Sequence, residues 1–175
     1  MTYLITFSCY GNHLHGDESG SVDRLHHTYR SRLADADCDR AFIERTHLRE
    51  TPYVIAAEQR EIVLKTLLEV CCHRGWTLHA AHVRSTHAHA VVEGDSRPEA
   101  MMNAFKSYAS RTLNSSGVDG GSRMRWARHG STRWLWDQDD VRSAIDYVTT
   151  GQGEPMAVFV GANTEVRADN DTTAP

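Results

Sequence analysis

A chain of 175 residues with 40% hydrophobic content is long enough for one ordinary domain with a packed core and too short for two to be expected. Its net charge of −4 excludes a protein that coats nucleic acid through bulk charge, and its four cysteines (Cys9, Cys38, Cys71, Cys72) follow neither a disulfide framework nor a CxxC pattern. No apolar run approaches the ~20 residues of a membrane span, and no basic segment with an apolar stretch opens the chain, so a soluble cytoplasmic protein is expected.

Residues 3–9 alternate and are rich in Tyr, Ile, Thr and Phe, which predicts a strand. Residues 12–24 break into Gly, Asp and Ser around His13 and His15, a loop, and residues 25–50 carry only scattered apolar positions, with room for one short helix. Pro52-Tyr53-Val54-Ile55 reads as a short edge strand. Ile62, Val63, Leu67, Val70 and Cys71 then recur at helical spacing until Gly75, so a helix over 57–73 covers a sheet, with Cys71 and Cys72 pointing in different directions. Residues 76–83 are strand-like, Arg84-Ser85-Thr86 is a hairpin turn, and a second strand opens at His87. If the turn pairs Arg84 with His87, His82 falls opposite His89.

Ser96-Arg97-Pro98-Glu99 has the form of a capping box with proline in the first turn. In the helix it starts, Met101, Met102, Ala104, Phe105, Tyr108, Ala109, Thr112 and Leu113 share one arc, with Arg111 just outside it beside Tyr108. Residues 114–123 form a Gly/Ser-rich loop, and a short strand follows in which Trp134 and Trp136 share a face. Asp137 is a natural cap for a helix over 138–149, with Val141, Ile145 and Val148 turned inward and Gly151, Gly153 and Pro155 ending it. Beyond residue 160 the composition turns small and polar, so residues 1–160 read as one domain and 161–175 as a disordered tail. This order of elements makes an α+β sandwich, an antiparallel sheet with helices on one face.

His87-Ala88-His89 is the pattern with chemical content, because residues two apart on a strand share a face and imidazole is the commonest protein metal ligand. The plain alternative is two partly exposed strand histidines. Between residues 101 and 136, six basic residues (Lys106, Arg111, Arg123, Arg125, Arg128, Arg133) stand against Asp119 alone, a local net charge of +5 on an acidic chain.

His87-Ala88-His89 followed by the helix with Lys106, Tyr108 and Arg111 resembles the HUH single-tyrosine transposases. Tyr3 to Phe7, Tyr10-Gly11, Leu14 to Asp17, Arg74-Gly75-Trp76, His129 to Arg133, Tyr147-Val148 and Gly151-Gln152-Gly153 narrow the likeness to REP-associated tyrosine transposases and their relatives, over residues 2 to 158. The resemblance implies a ferredoxin-like core and a DNA endonuclease or transposase that acts on single-stranded or hairpin-associated DNA, as a monomer or homodimer. It implies Mg²⁺ or Mn²⁺ held by His87 and His89, Tyr108 as the nucleophile that forms a 5′-phosphotyrosine link, and Arg111 beside it. Lys106, Arg125, Arg128, Arg133 and Trp126 are the candidate DNA contacts, cations for phosphates and an aromatic for a base.

One departure bears on the metal. In many single-tyrosine relatives a Gln about one turn after the tyrosine completes the ligand set, and four residues after Tyr108 stands Thr112. Thr112, His82 and Gln152 are the candidates for that place. A missing third ligand would favour a different class, a domesticated single-strand or hairpin binder that no longer cleaves. A zinc hydrolase built on His-x-His is a third reading, without an Asp or Glu at the spacing such sites use.

Overall fold

The computed structural model describes residues 1–12 and 38–162, so the loop with His13 and His15, and residues 163–175 of the tail, lie outside the described residues. The elements are β1 (Thr2–Ser8), α1 (Cys38–Thr46), α2 (Ala57–Arg74), β2 (Thr77–Val83), β3 (His87–Glu93), α3 (Pro98–Ser116), β4 (Ser131–Leu135), α4 (Gln138–Thr149) and β5 (Ala157–Val160). All pairings are antiparallel, in the order β4-β1-β3-β2-β5.

The expected α+β class is observed. β1-α2-β2-β3-α3-β4, with strands in the order β4-β1-β3-β2, is a ferredoxin-like core. Tyr3, Ile5, Phe7, Ala88, Ala90 and Val92 meet Val63 and Leu67 of α2 and Met101, Phe105 and Leu113 of α3 on one face. Strand alternation produces this layer, since those side chains lie two residues apart along each strand.

The expectation of helices on one face holds for that core and fails for α4. Val141, Ala144, Ile145 and Val148 of α4 pack on Leu4, Ala80, Val91 and Leu135, which point to the opposite face. The reason lies in β3, which turns Ala88, Ala90 and Val92 to one side and Val91 to the other and needs cover on both. Burying a residue such as Val91 contributes roughly 1.5–3 kcal/mol relative to leaving it in water. β5, which the sequence reading did not anticipate, adds to the β2 edge; four residues are too few to display a period.

Local details correct two further expectations. Arg97 rather than Ser96 precedes α3, with Pro98 in its first turn and no side-chain cap, and Glu99 instead accepts a bond from the Thr132 hydroxyl at 3.1 Å. Residues 52–55 do not join the sheet and are held by bonds from the Tyr53 N–H to the Tyr10 carbonyl and from the Ile55 N–H to the Ser85 carbonyl, both 2.8 Å. The cap at Asp137 is present, its carboxylate accepting from the Asp140 N–H at 2.8 Å. Cys71 is buried and Cys72 exposed, as their helical positions require. Among the described residues no helix is long and apolar enough to cross a membrane.

Candidate active site

The hairpin closes as its sequence implies: the Arg84 N–H donates to the His87 carbonyl at 2.8 Å, and His82 lies opposite His89. His87 and His89 therefore share the α4 face, with ring centroids 4.8 Å apart. His89 is 3% exposed and held at both nitrogens. Its cross-strand neighbour Thr6 places a hydroxyl 2.8 Å from Nδ1, and Gln152 places its amide oxygen 3.0 Å from Nε2. The Gln152 amide nitrogen donates to the Tyr147 carbonyl at 3.2 Å, which turns its oxygen toward the imidazole. This network assigns the proton to Nε2 of His89, with Nδ1 accepting from Thr6. Burial, and next the neighbouring His87, push the His89 pKa down to about 3, so the ring is neutral at pH 7.

A tyrosine does reach this pair, and it is Tyr147. Its ring stands 5.5 Å from the His89 ring at 75°, on the last turn of α4. The side chain is half-exposed, and its hydroxyl has no hydrogen-bond partner among the described residues. A glycine makes the approach of Gln152 feasible. A Cβ on Gly151 would lie 2.9 Å from the Tyr147 carbonyl oxygen, so only glycine lets the chain turn this tightly against the helix end.

Tyr108 lies elsewhere. α3 packs on the other face of the sheet, where the Tyr108 ring rests against the core and the Arg111 guanidinium covers it at 5.3 Å. β3 alternates, so the strand that turns Ala88 and Ala90 toward α3 turns both histidines away from it. The expected meeting of Tyr108 and Arg111 with the histidine pair is therefore not observed.

Of the three candidates for a third ligand, only Gln152 touches the pair. Thr112 donates its hydroxyl to the Tyr108 carbonyl at 3.1 Å, behind the sheet. His82 shares the face but is fully buried and satisfied at both nitrogens, donating from Nδ1 to the Val148 carbonyl at 3.0 Å and accepting at Nε2 from the Met156 N–H at 3.2 Å. Among the described residues no group of three His, Cys, Asp or Glu side chains could hold a metal. Two imidazoles and an amide oxygen are nonetheless a donor set that suits a divalent cation, and the oxygen supplies the hard ligand a histidine pair lacks. Binding at Nε2 of His89 would move the ring proton to Nδ1, where the Thr6 oxygen is in place to accept it.

The basic window is spread over structural tasks rather than gathered on one face. Lys106 is buried, and its ammonium group ties the loop before β4 to α3 through the carbonyls of Ala127 (3.0 Å) and His129 (2.9 Å). Arg125 is 2% exposed and forms a two-pronged pair with Asp119 at 2.9 and 2.7 Å, while Tyr53 donates to the same carboxylate at 2.8 Å. Trp126 packs edge-on against Phe7 and donates its indole N–H to the Lys106 carbonyl at 2.9 Å. These three sequence candidates for DNA contact are thus internal supports, because each sits where a loop must be fastened to the core. Arg128 is exposed, and Arg133 lies on the histidine face at the far end of α4, 3.4 Å from Asp140. Trp134 and Trp136 stack at 5.4 Å on the side of Tyr3, away from the histidines. Asp119→Ala would leave Arg125 buried without its partner, and a loss of about 3 kcal/mol in a denaturant unfolding experiment is expected. A loss below about 0.5 kcal/mol would show that this pair fastens nothing.

The chain is similar to solved structures that include two transposases. One is a REP-associated tyrosine transposase bound to a REP hairpin, 13% identical with a TM-score of 0.49, matching 86% of this chain and 65% of its own. The chain thus spans just under two thirds of that protein's length. The other, described as a transposase from Deinococcus radiodurans, is 10% identical with a TM-score of 0.48, over 82% of this chain and 85% of its own. No family model matches the sequence, and no curated protein matches it.

The sequence did carry a signal for the site. A glutamine just past one turn from a helical tyrosine stands at Gln152, five residues after Tyr147, in the turn that follows α4.

Proposed function

We propose that this chain is a metal-dependent single-tyrosine DNA endonuclease or transposase in which Tyr147, rather than Tyr108, is the nucleophile. The observation that carries this reading is the convergence of Tyr147 and Gln152 on His89 from the end of one helix. A histidine pair, a third oxygen ligand and an accessible phenol on one wall are the parts that phosphodiester transfer requires. His87, His89 and Gln152 would hold Mg²⁺ or Mn²⁺. When bound, the cation draws charge from the non-bridging phosphate oxygens and from the leaving 3′ oxygen.

The work of the chain's own residues is positional. The Tyr147 oxygen, after losing its proton, forms a bond to phosphorus as the bond from phosphorus to the 3′ oxygen breaks. That oxygen takes up a proton, leaving a free 3′-OH on one strand and a 5′-phosphotyrosine on the other. The bond energy stays in the link, so the reverse attack by a 3′-OH rejoins strands without ATP. An exposed phenol on a small domain reaches a single-stranded backbone, or the single-stranded foot of a hairpin, more readily than a duplex. Gln152 weakens the case for a binder that no longer cleaves, since that reading rested on an incomplete ligand set.

The test is incubation of the protein with labelled single-stranded and hairpin oligonucleotides from the flanks of its own gene, with Mn²⁺. A covalent adduct that EDTA abolishes is expected. Binding that survives both EDTA and loss of the two histidines, with no adduct under any metal, would instead mark a pure binding protein.

A further inference from the structure

We infer that Arg84 is a substrate contact, its guanidinium holding a backbone phosphate beside the bond that Tyr147 attacks. The inference rests on the proposed reading of the site and adds to it the phosphate-binding cation. Arg84 begins the hairpin turn, and its backbone is bonded to that of His87. Its side chain crosses to the turn after α4, where Nη1 donates to the Glu154 carbonyl at 3.1 Å and Nη2 lies 3.9 Å from the Cβ position of Gly153. Arg84 thus spans from the hairpin turn that leads into the histidine strand to the turn that carries Gln152. Its charge is felt at both His82 and His89, where it disfavours protonation.

The chemistry of the group decides what it would hold. A guanidinium presents five N–H donors in a rigid plane, and here no carboxylate pairs with it among the described residues and only one bond, to a carbonyl, engages it. The other groups that meet at this wall are the His87 and His89 imidazoles, the Gln152 amide, the Thr6 hydroxyl and the Tyr147 phenol, and burial keeps the His89 ring neutral. Lys106 and Arg125, the cations the sequence offered for this task, are committed on the other side of the sheet. A planar cation at the rim of the site, with donors that no described residue engages, fits a phosphodiester, whose two non-bridging oxygens it can bridge.

Two variants separate this task from support of the turn. Arg84→Gln keeps a donor for the Glu154 carbonyl and removes the charge, whereas Arg84→Lys keeps the charge and loses the fork. In a Tyr147→Phe background, which binds without reacting, the affinity for a labelled single-stranded oligonucleotide is measured against salt. Arg84→Gln should flatten the slope of log K against log salt by about 0.7, one phosphate contact on a single strand, and Arg84→Lys should retain it. In the reactive protein, Arg84→Gln should slow adduct formation by about 30-fold or more, with Mn²⁺ affinity unchanged. A slope and rate in Arg84→Gln equal to the parent would overturn the inference while leaving the proposed function intact. Failure of the parent to bind single-stranded DNA at all would bring down the functional reading, and this inference with it.

Discussion

Tyr147→Phe is expected to lower the rate of covalent adduct formation by about 10⁴-fold or more, as removal of a nucleophile does, whereas Tyr108→Phe should stay within about threefold of the parent. The contrast follows from the two faces of the sheet. Tyr147 stands 5.5 Å from the His89 ring with its hydroxyl in reach of solvent, and Tyr108 rests against the core under Arg111. Folding should not distinguish the variants strongly, since among the described residues the Tyr147 hydroxyl makes no bond that a phenylalanine would forfeit. DNA binding by Tyr147→Phe should be retained, so a loss confined to chemistry separates this result from general damage.

Metal binding supplies the second large effect. His89→Ala should weaken Mn²⁺ binding, read by titration with electron paramagnetic resonance, by at least about 100-fold, and Gln152→Ala by about 10–100-fold. Gln152→Glu should bind at least as tightly as the parent, because a carboxylate keeps the oxygen and adds charge that hard cations favour. Thr6→Val removes the hydroxyl 2.8 Å from Nδ1 and should cost about 10-fold through the orientation of the ring alone, with Thr6→Ser restoring it. Thr112→Val, on the far side of the sheet, should change nothing. Equal affinity in Gln152→Ala and the parent would remove glutamine from the ligand set and reopen the non-cleaving reading.

Much of the architecture was legible because it rests on local periods. β1, the helix over Ala57–Arg74, the histidine hairpin and the Asp137-capped helix announce themselves through alternation, helical spacing and capping chemistry. The register that sets His82 opposite His89 is the one expected if Arg84 pairs with His87 around Ser85-Thr86, and that pairing is observed. What did not follow was the side of the sheet to which each helix goes. A helix shows which of its own faces is apolar, and both α3 and α4 do, but a strand that buries apolar residues on both faces, as β3 does with Ala90 and Val91, accepts a helix from either side. That single ambiguity decides whether Tyr108 or Tyr147 meets the histidines. The charged residues were obscured for a related reason. Lys106 and Arg125 are cations by sequence, and nothing local to them records that two carbonyls and Asp119 wait in a loop folded back onto the core.

The most direct measurement is therefore on the product itself. The protein is reacted with a single-stranded oligonucleotide in Mn²⁺, digested with protease and nuclease, and the peptide that carries the residual nucleotide is sequenced by mass spectrometry. The account predicts a nucleotide linked through the phenol of Tyr147, on a peptide that also contains Val148. A nucleotide on Tyr108, or on any residue other than Tyr147, would contradict it.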